Sequence, residues 1–156
     1  MKITERIAQN SDYDFLWHLK VASMQRYIEE VYGWDEEAQE NYFRGNFNPQ
    51  EIHVIQLDGK DVGMYVYDAD DDGESLLKRI EVLPEYQSKG IGSFIIKQLS
   101  HSAKKEGRDH RLHVFKTHPA RQLYTRLRFE VLYETETHYV MRVQKQTDTG
   151  DGRTRA

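Results

Sequence analysis

A glycine-containing loop in front of a helix carries the residues most able to do chemistry. The loop contains, in order, Gln87, Ser88, Lys89, Gly90, Ile91, Gly92 and Ser93. Backbone N–H groups at the start of a helix have no partner inside the helix, and they lie at the positive end of its dipole. Glycine removes the side chains that would keep a ligand from this backbone, and the lysine adds positive charge. The loop therefore predicts a binding site for an anion such as a pyrophosphate.

Two other phosphate-binding loops fit this segment badly. A P-loop places its lysine directly after its last glycine, whereas Lys89 precedes Gly90. A dinucleotide-binding fingerprint needs a third glycine where this chain has Ile95. The spacing alone leaves open a glycine-rich turn that only starts a helix.

The hydrophobic pattern predicts the elements that must hold the loop. Alternating apolar residues predict strands at 2–8, 52–57, 62–67, 76–83, 112–115, 129–133 and 139–143. Helical spacing and capping residues predict helices from Ser11 or Asp12 to Gly33, from 35 to the loop at 45–49, at 91–105 and at 120–127. The fold class is therefore α/β (α+β), in the order β-α-α-β-β-β-α-β-α-β-β. We expect a mixed, mostly antiparallel sheet with helices on both faces.

Two of the predicted helices have a clear apolar face. In the helix after the glycine loop, this face contains Ile91, Phe94, Ile95 and Leu99. In the first helix it contains Phe15, Leu16, Leu19, Ala22, Tyr27, Ile28 and Val31. These side chains are the expected core contacts of the two helices.

Two segments resemble the motifs of the GNAT superfamily of N-acetyltransferases. Residues 87–92 resemble the Gln/Arg-x-x-Gly-x-Gly/Ala pyrophosphate loop, and residues 82–86 resemble the strand-to-loop segment before it. Residues 120–129 resemble the second motif, a helix that carries Ala and Leu-Tyr and ends in Gly-Phe. The chain departs from the family at Arg128, where glycine is usual, and at Thr117, where asparagine is common.

The resemblance implies one acetyltransferase domain over residues 1–145, with acetyl-CoA as co-substrate and no metal. The pantetheine arm of CoA is expected between two splayed parallel strands, at 76–83 and 112–115. A backbone N–H near Val82 or Leu83 would polarise the thioester carbonyl. The implied cofactor-binding residues are Val82, Leu83, Gln87, Ser88, Lys89, Gly90, Ile91, Gly92, Ser93, Thr117 and Tyr124.

The resemblance also implies direct attack by an acceptor amine, so that the enzyme supplies only proton transfers. Tyr124 occupies the position of the family's general acid, which protonates the leaving thiolate; the alternative is that Tyr124 only packs against the cofactor. Glu81 is the candidate general base, although the alternation along its strand could also place it outside the cleft. Glu74 and His113 are weaker candidates for the base.

The acceptor site is expected between the first two helices. Tyr27, Tyr32 and Trp34 form, with Asp35 and Glu36, an aromatic and acidic cluster that would attract a cationic amine. The alternative is that the rings are core residues and the acids begin a helix. The expected acceptor is a primary amine on a small molecule or a peptide. Two other functions stay open: a non-catalytic CoA-binding module, and an acyltransferase that uses a longer acyl-CoA.

Composition excludes several other classes of protein. Acidic residues outnumber basic ones by 26 to 22, so the chain lacks the positive field of a nucleic-acid-binding protein. It has no cysteine, which excludes disulfides, thiolate metal sites and a cysteine nucleophile. Because it has no apolar leader and no apolar run that could span a membrane, we expect a soluble cytoplasmic protein. Homodimers are frequent among the proteins it resembles. Residues 146–156 are expected to form a flexible tail.

Two sequence patterns resemble metal sites but fail. The segment 68–73 begins like a calcium loop, yet the twelfth position is Arg79 instead of glutamate. His110 and His113 are three residues apart across the start of a predicted strand, which would turn their rings away from a shared metal.

Overall fold

Within the described part of the chain, seven strands and four α-helices follow the predicted order. The structure, a computed structural model, describes residues 1–70 and 73–143. In chain order the elements are β1 (Ile3–Ile7), α1 (Tyr13–Tyr32), α2 (Glu36–Gly45), β2 (Ile52–Leu57), β3 (Lys60–Ala69), β4 (Glu74–Val82), α3 (Ile91–Lys105), β5 (Asp109–Phe115), α4 (Arg121–Arg126), β6 (Phe129–Glu134) and β7 (His138–Val143). Short 3-10 helices that the sequence pattern did not predict lie at Asn10–Asp12, Pro49–Glu51 and Pro84–Tyr86. The predicted tail at 146–156 lies outside the described residues.

The strands form one sheet in the order β1-β2-β3-β4-β5-β7-β6. The pairing of β4 with β5 is parallel, and the other pairings that the structure describes are antiparallel. One face packs on α1 and α2 through Leu16, Leu19 and Phe43. The other face packs on α3 and α4 through residues that include Ile91, Ile95 and Tyr124. The predicted mixed sheet with helices on both faces is therefore confirmed.

A β-bulge separates the ends of the two parallel strands. β4 pairs with β5 only over Glu74–Leu77 and Asp109–Leu112. The pairing of β3 with β4 shifts at the same place, because Val66 faces Arg79 while Tyr67 faces Leu77, which leaves Lys78 as the extra residue. A bulge bends its strand and changes the face on which later side chains lie. The rest of β4 therefore leaves β5, and a gap opens between the two strands.

The face of α3 that packs on the sheet differs from the predicted one at Phe94. Ile91 and Ile95 are buried as predicted, and Leu99 packs against the same core. Phe94, however, is 47% exposed, while Ile96 is buried. At about 100° per residue, Phe94 lies about 60° before Ile91 on the helix, on the side away from Ile96. The buried face continues towards Ile96 and Ala103, so the prediction for Phe94 was wrong.

Arg128 has a backbone conformation that favours glycine. It lies between α4 and β6 with φ of 73°, in the left-handed region. This conformation costs a non-glycine residue about 1–2 kcal/mol. Glycine avoids that cost, but the greater flexibility of its unfolded chain offsets part of the gain in stability. We expect Arg128→Gly to raise the free energy of unfolding by about 0.5–1 kcal/mol. Urea denaturation measures this change. Arg128→Ala keeps the unfavourable φ and should bring no gain; a glycine variant no more stable than the alanine variant would contradict the explanation.

His110 is buried in the core between Tyr67 and Phe129. It is 3% exposed, and its Nδ1 lies 3.1 Å from the Ser75 hydroxyl oxygen. Its Nε2 is buried without a hydrogen-bond partner among the described residues. Burial lowers the pKa of His110 from 6.5 to about 4. Between these two values the unfolded chain binds a proton that the folded protein excludes, so acid favours unfolding.

The free energy of unfolding is therefore expected to fall as the pH drops from about 6.5 towards about 4, with His110 contributing up to about 3 kcal/mol. Burial also lowers the pKa of His118 and His138, so a variant is needed to isolate His110. His110→Gln should flatten the pH dependence in urea denaturation at about pH 7 and about pH 5, the first above this range and the second within it. His101→Gln, on the exposed side of α3, should keep the wild-type slope. Equal slopes in all three proteins would contradict the role of His110.

Candidate active site

A cleft of about 530 Å³ lies where β4 and β5 separate. Four parts of the chain line it: the middle of α1, the end of β4, the glycine loop (residues 87–93) with the start of α3, and the segment from His118 to Arg126. The end of β4, beyond its pairing with β5, forms one wall of the cleft, and the helices on both faces close its sides. The fold thus brings the two sequence motifs to one cavity.

The glycine loop presents free backbone donors to this cleft. The N–H groups of residues 88 to 93 donate to no acceptor in the part of the chain that the structure describes, and the first helical hydrogen bond runs from Phe94 to the Gly90 carbonyl at 3.0 Å. Gly90 has φ of 84°, which turns the chain into α3. The predicted loop residues line the cleft apart from Lys89, whose exposed side chain lies beside it. This arrangement can hold an anion on its backbone.

Gly92 keeps space open inside the cleft. Its φ is not positive, and a Cβ atom built on it would have no neighbour within 4 Å. Within the described chain, therefore, neither backbone strain nor packing requires a glycine here. A side chain at this position would project from the first turn of α3, beside the free N–H groups. The residues present thus fit a pyrophosphate group lying against the backbone.

The end of β4 presents the Val82 backbone to the gap. The Leu83 N–H donates to the Val62 carbonyl at 2.9 Å, so it points towards β3. Because backbone groups alternate along a strand, the N–H and C=O of Val82 point the other way. The Gln87 side chain donates to this Val82 carbonyl at 2.9 Å. Val82 lines the cleft, whereas the Leu83 side chain packs into the core under α1.

Glu81 is a buried carboxylate in the wall of the cleft. It is 6% exposed, and its Oε1 has no hydrogen-bond partner among the described residues. Its Oε2 lies 3.5 Å from the Arg79 Nε. Lys20 on α1 is also near: burial lowers the Lys20 pKa, Glu81 opposes this shift and Arg79 adds to it. The bulge at Lys78 places Glu81 on the α1 face, opposite Met64.

Tyr124 is a buried phenol on the opposite wall. It is 7% exposed, and its ring centroid lies 6.2 Å from that of Phe129. Its hydroxyl makes no hydrogen bond to a described residue. Burial raises the pKa of Tyr124 to about 12, so the group keeps its proton at neutral pH. Tyr124 can therefore donate a proton or a hydrogen bond into the cleft.

The aromatic cluster between α1 and α2 reaches the cleft only through Tyr27. Tyr32 is 63% exposed and lies against Phe115, with ring centroids 6.3 Å apart. Trp34 stacks on Trp17 at 6.3 Å, and its Nε1 donates to Glu36 at 3.0 Å. Asp35 caps α2 by accepting from the Ala38 N–H. The structure therefore brings one member of the cluster to the site and places the others outside the lining of the cleft.

The remaining candidate residues lie outside the cleft or at its edge. Glu74 is exposed and forms an ion pair with Arg111 at 3.3 Å. His113 is exposed on β5, and neither residue lines the cleft. The Thr117 hydroxyl donates to the Tyr27 carbonyl at 3.3 Å, which ties it to α1. His118, next to it, does line the cleft; sequence reasoning missed it because a single histidine in a loop has no diagnostic spacing.

The described residues hold neither a metal-binding cluster nor a membrane-spanning helix. Within residues 1–70 and 73–143, no group of three or more His, Asp or Glu side chains is placed to share a metal ion. In the same residues, no helix has the length and apolar character needed to cross a membrane. His110 is buried and His113 exposed, on opposite sides of β5, as predicted.

Comparison with known families identifies the class of protein. The model of the acetyltransferase (GNAT) family matches residues 14–129, three quarters of the chain. The chain therefore belongs to the GNAT acetyltransferase family. A comparison with curated proteins found no significant match.

Solved structures show the same fold at low sequence identity. The PaiA N-acetyltransferase of Thermoplasma acidophilum, in complex with coenzyme A, has a TM-score of 0.75 at 18% identity and covers 93% of this chain and 100% of its own. The ribosomal-protein-S18-alanine N-acetyltransferase of Escherichia coli has a TM-score of 0.64 at 20% identity over 95% and 98%. Naa50 of Arabidopsis thaliana, bound to the bisubstrate analogue CoA-Ac-MVNAL, has a TM-score of 0.62 at 14% identity over 93% and 100%.

Proposed function

We propose that this protein is an N-acetyltransferase that uses acetyl-CoA to acetylate a primary amine. The observation that carries the proposal is a single cleft that joins the free N–H groups of the glycine loop to two side chains that can transfer protons. These are Glu81, whose Oε1 has no hydrogen-bond partner among the described residues, and the buried Tyr124. Membership of the GNAT family supports acyl transfer from a CoA thioester. The coenzyme A and bisubstrate complexes of structural relatives support CoA as the carrier.

Each part of the cleft fits one part of acetyl-CoA. The N–H groups of residues 88 to 93 would hold the pyrophosphate, and Gly92 leaves it room. The Val82 N–H and C=O, which point into the gap, would pair with amides of the pantetheine arm. Bound there, acetyl-CoA supplies an acetyl group on a good leaving group. A backbone N–H directed at the thioester carbonyl would stabilise the negative charge that develops on its oxygen, an effect worth about 3–4 kcal/mol in other enzymes.

Glu81 and Tyr124 each carry out one proton transfer in the proposed reaction. An acceptor ammonium must lose a proton before its nitrogen can attack, and Glu81 accepts it, directly or through a water molecule. The reaction forms a C–N bond and breaks the C–S bond, and the nitrogen releases its second proton to solvent as the amide forms. Tyr124 then gives its proton to the departing sulfur and regains one from solvent. The high pKa of Tyr124 keeps this proton in place until the thiolate forms.

The acceptor is an amine on a small molecule or a peptide. The relative from E. coli is named as the N-acetyltransferase of an alanine of ribosomal protein S18. The Arabidopsis relative holds the bisubstrate analogue CoA-Ac-MVNAL. These names support the inclusion of peptides among the candidates. The cleft opens beside α1, where Ser23, Met24 and Tyr27 contribute its wall. An acceptor that enters past these side chains would reach Glu81.

Ligand-dependent melting together with thiol release tests the function. Acetyl-CoA at about 100 times its dissociation constant should stabilise the protein by about 2.7 kcal/mol, and a panel of amines and short peptides should contain one that drives CoA release. Stabilisation without release by any amine would favour a non-catalytic CoA-binding module. Faster release with a longer acyl-CoA would favour a different acyl donor. No stabilisation by acetyl-CoA, CoA or a longer acyl-CoA would overturn the proposal.

Glu81→Gln is expected to lower kcat by about tenfold to hundredfold at neutral pH, because the variant removes the base and leaves only water to take the proton. The dissociation constant of acetyl-CoA should change little, since the amide has the same shape as the carboxyl group. Steady-state thiol release measures the loss. Glu74→Gln, on the same strand but outside the cleft, is the matched control and should keep the wild-type rate. The reverse pattern would assign the base to Glu74.

A further inference from the structure

The Thr117 side chain is turned away from the cleft. Its hydroxyl donates to the Tyr27 carbonyl at 3.3 Å, which links the segment after β5 to α1. Thr117 is absent from the lining of the cavity, whereas the next residue, His118, is part of it. The side-chain contact to CoA that the family resemblance assigns to position 117 therefore has no donor at that position.

His118 is held in one orientation by three contacts. Its backbone N–H donates to the Phe115 carbonyl at 2.9 Å. Its Nδ1 accepts the Ala120 N–H at 3.0 Å. Its ring lies on Tyr27, with centroids 4.2 Å apart and planes at 40°. A side chain fixed in this way is preorganised for binding, because little conformational freedom is lost when a ligand arrives.

The contact at Nδ1 and the burial of the ring also decide where the imidazole carries its proton. Because Nδ1 accepts a hydrogen bond, the proton of the neutral ring is on Nε2. Burial lowers the pKa of His118, so the ring is neutral at physiological pH. Nε2 has no hydrogen-bond partner among the described residues. His118 therefore offers the cleft one uncharged N–H donor.

An uncharged donor selects among the groups that enter the cleft. The amine that is acetylated arrives as an ammonium, which is itself a donor and gains nothing from another N–H. The pantetheine arm carries amide carbonyls, which are acceptors. On the opposite wall, Val82 offers backbone groups to the same arm. A carbonyl between the two walls would match the single donor of His118.

We propose that the His118 Nε2–H donates a hydrogen bond to an amide carbonyl of the pantetheine arm, and that Tyr27 positions the imidazole ring for this contact. The inference rests on the proposed function, since it requires CoA in the cleft. It gives Tyr27 a role in holding a CoA-binding residue, in addition to its place in the wall past which the acceptor would enter. It also explains how the chain binds the arm with threonine at 117.

Calorimetric titration with two ligands tests the proposal. CoA contains the arm, whereas adenosine 3′,5′-bisphosphate carries the adenine and phosphates without it. His118→Ala should weaken CoA binding by about tenfold, the effect of one lost hydrogen bond, and leave bisphosphate binding unchanged. His118→Gln, which restores an N–H donor, should recover much of the loss. His101→Ala, on the exposed side of α3, is the matched control and should bind both ligands like the wild type.

Equal weakening of both ligands by His118→Ala would overturn the proposal, because the histidine would then act only on the structure of the site. A selective loss of CoA binding in Thr117→Val, with none in His118→Ala, would also overturn it and assign the contact to Thr117. If His118→Ala does not fold, His118→Gln is compared with His118→Phe, which has no donor. Equally weak CoA binding by these two variants, with normal bisphosphate binding by His118→Gln, would also overturn the proposal. A wild-type protein that binds neither ligand would instead overturn the proposed function.

Discussion

Replacing Gly92 by aspartate is expected to weaken CoA binding by more than about a hundredfold, which corresponds to about 2.7 kcal/mol. The new carboxylate would project from the first turn of α3 into the space beside the free N–H groups. It would occupy the anion site and repel the pyrophosphate. Calorimetric titration with CoA measures the loss.

The same substitution is expected to leave the unliganded protein at least as stable as the wild type. A carboxylate in the first turn of a helix gains about 0.3–1 kcal/mol from the helix dipole, and replacing glycine removes a helix penalty of similar size. No atom outside the local backbone lies within 4 Å of the added Cβ. A variant that keeps its stability but loses CoA binding would show that Gly92 serves ligand binding and not packing.

Two controls isolate the position of the charge. Gln98→Asp adds the same carboxylate to the exposed side of α3 and should keep normal CoA binding. Gly92→Ala adds only a methyl group and should cost far less affinity than the aspartate. Normal CoA binding by Gly92→Asp would mean that the glycine loop is not the anion site.

Tyr124→Phe is expected to lower kcat by about a hundredfold and to leave the dissociation constant of acetyl-CoA nearly unchanged. The variant removes only the hydroxyl, and the ring keeps its contact with Phe129. Because the hydroxyl has no hydrogen-bond partner among the described residues, the stability of the folded protein should also be unchanged. Thiol release and calorimetric titration measure the two constants.

The pH dependence of the wild-type rate gives a second test of Tyr124. With its pKa raised to about 12, the phenol should stay protonated through the alkaline range, so its ionisation should cause no loss of rate below about pH 10. Tyr133→Phe, on the exposed edge strand β6, should keep full activity. Full activity in Tyr124→Phe would limit Tyr124 to packing, and equal losses in kcat and CoA affinity would place it in binding.

The sequence predicts well the features that depend on local pattern. The order of elements follows from hydrophobic periodicity and capping residues, and the glycine loop follows from residue types that a helix start requires. Both motifs lie on segments whose ends the pattern also predicts. Tyr124 lies on the short helix of the second motif, so the same pattern predicts its position beside the cleft.

Features that depend on pairing between distant segments could not be predicted from the local pattern. The bulge at Lys78 arises where Val66 and Tyr67 pair with β4, and the β4 sequence alone does not reveal it. That bulge decides the face of Glu81, which strand alternation left open. His118 was missed because a single histidine has no diagnostic spacing, and its ring contact with Tyr27 joins residues 91 positions apart in the chain. Trp34 stacks on Trp17 outside the lining of the cleft, a contact that the local pattern could not predict.

The most direct test of acetyl transfer is a count of both products in one reaction. Protein, acetyl-CoA and an amine that stimulates thiol release are mixed, and free CoA and acetylated amine are quantified together by mass spectrometry. We expect equal amounts of the two products, with both reduced in parallel by Tyr124→Phe and by Glu81→Gln. CoA release without acetylated amine, or equal activity in all three proteins, would contradict acetyl transfer by this site.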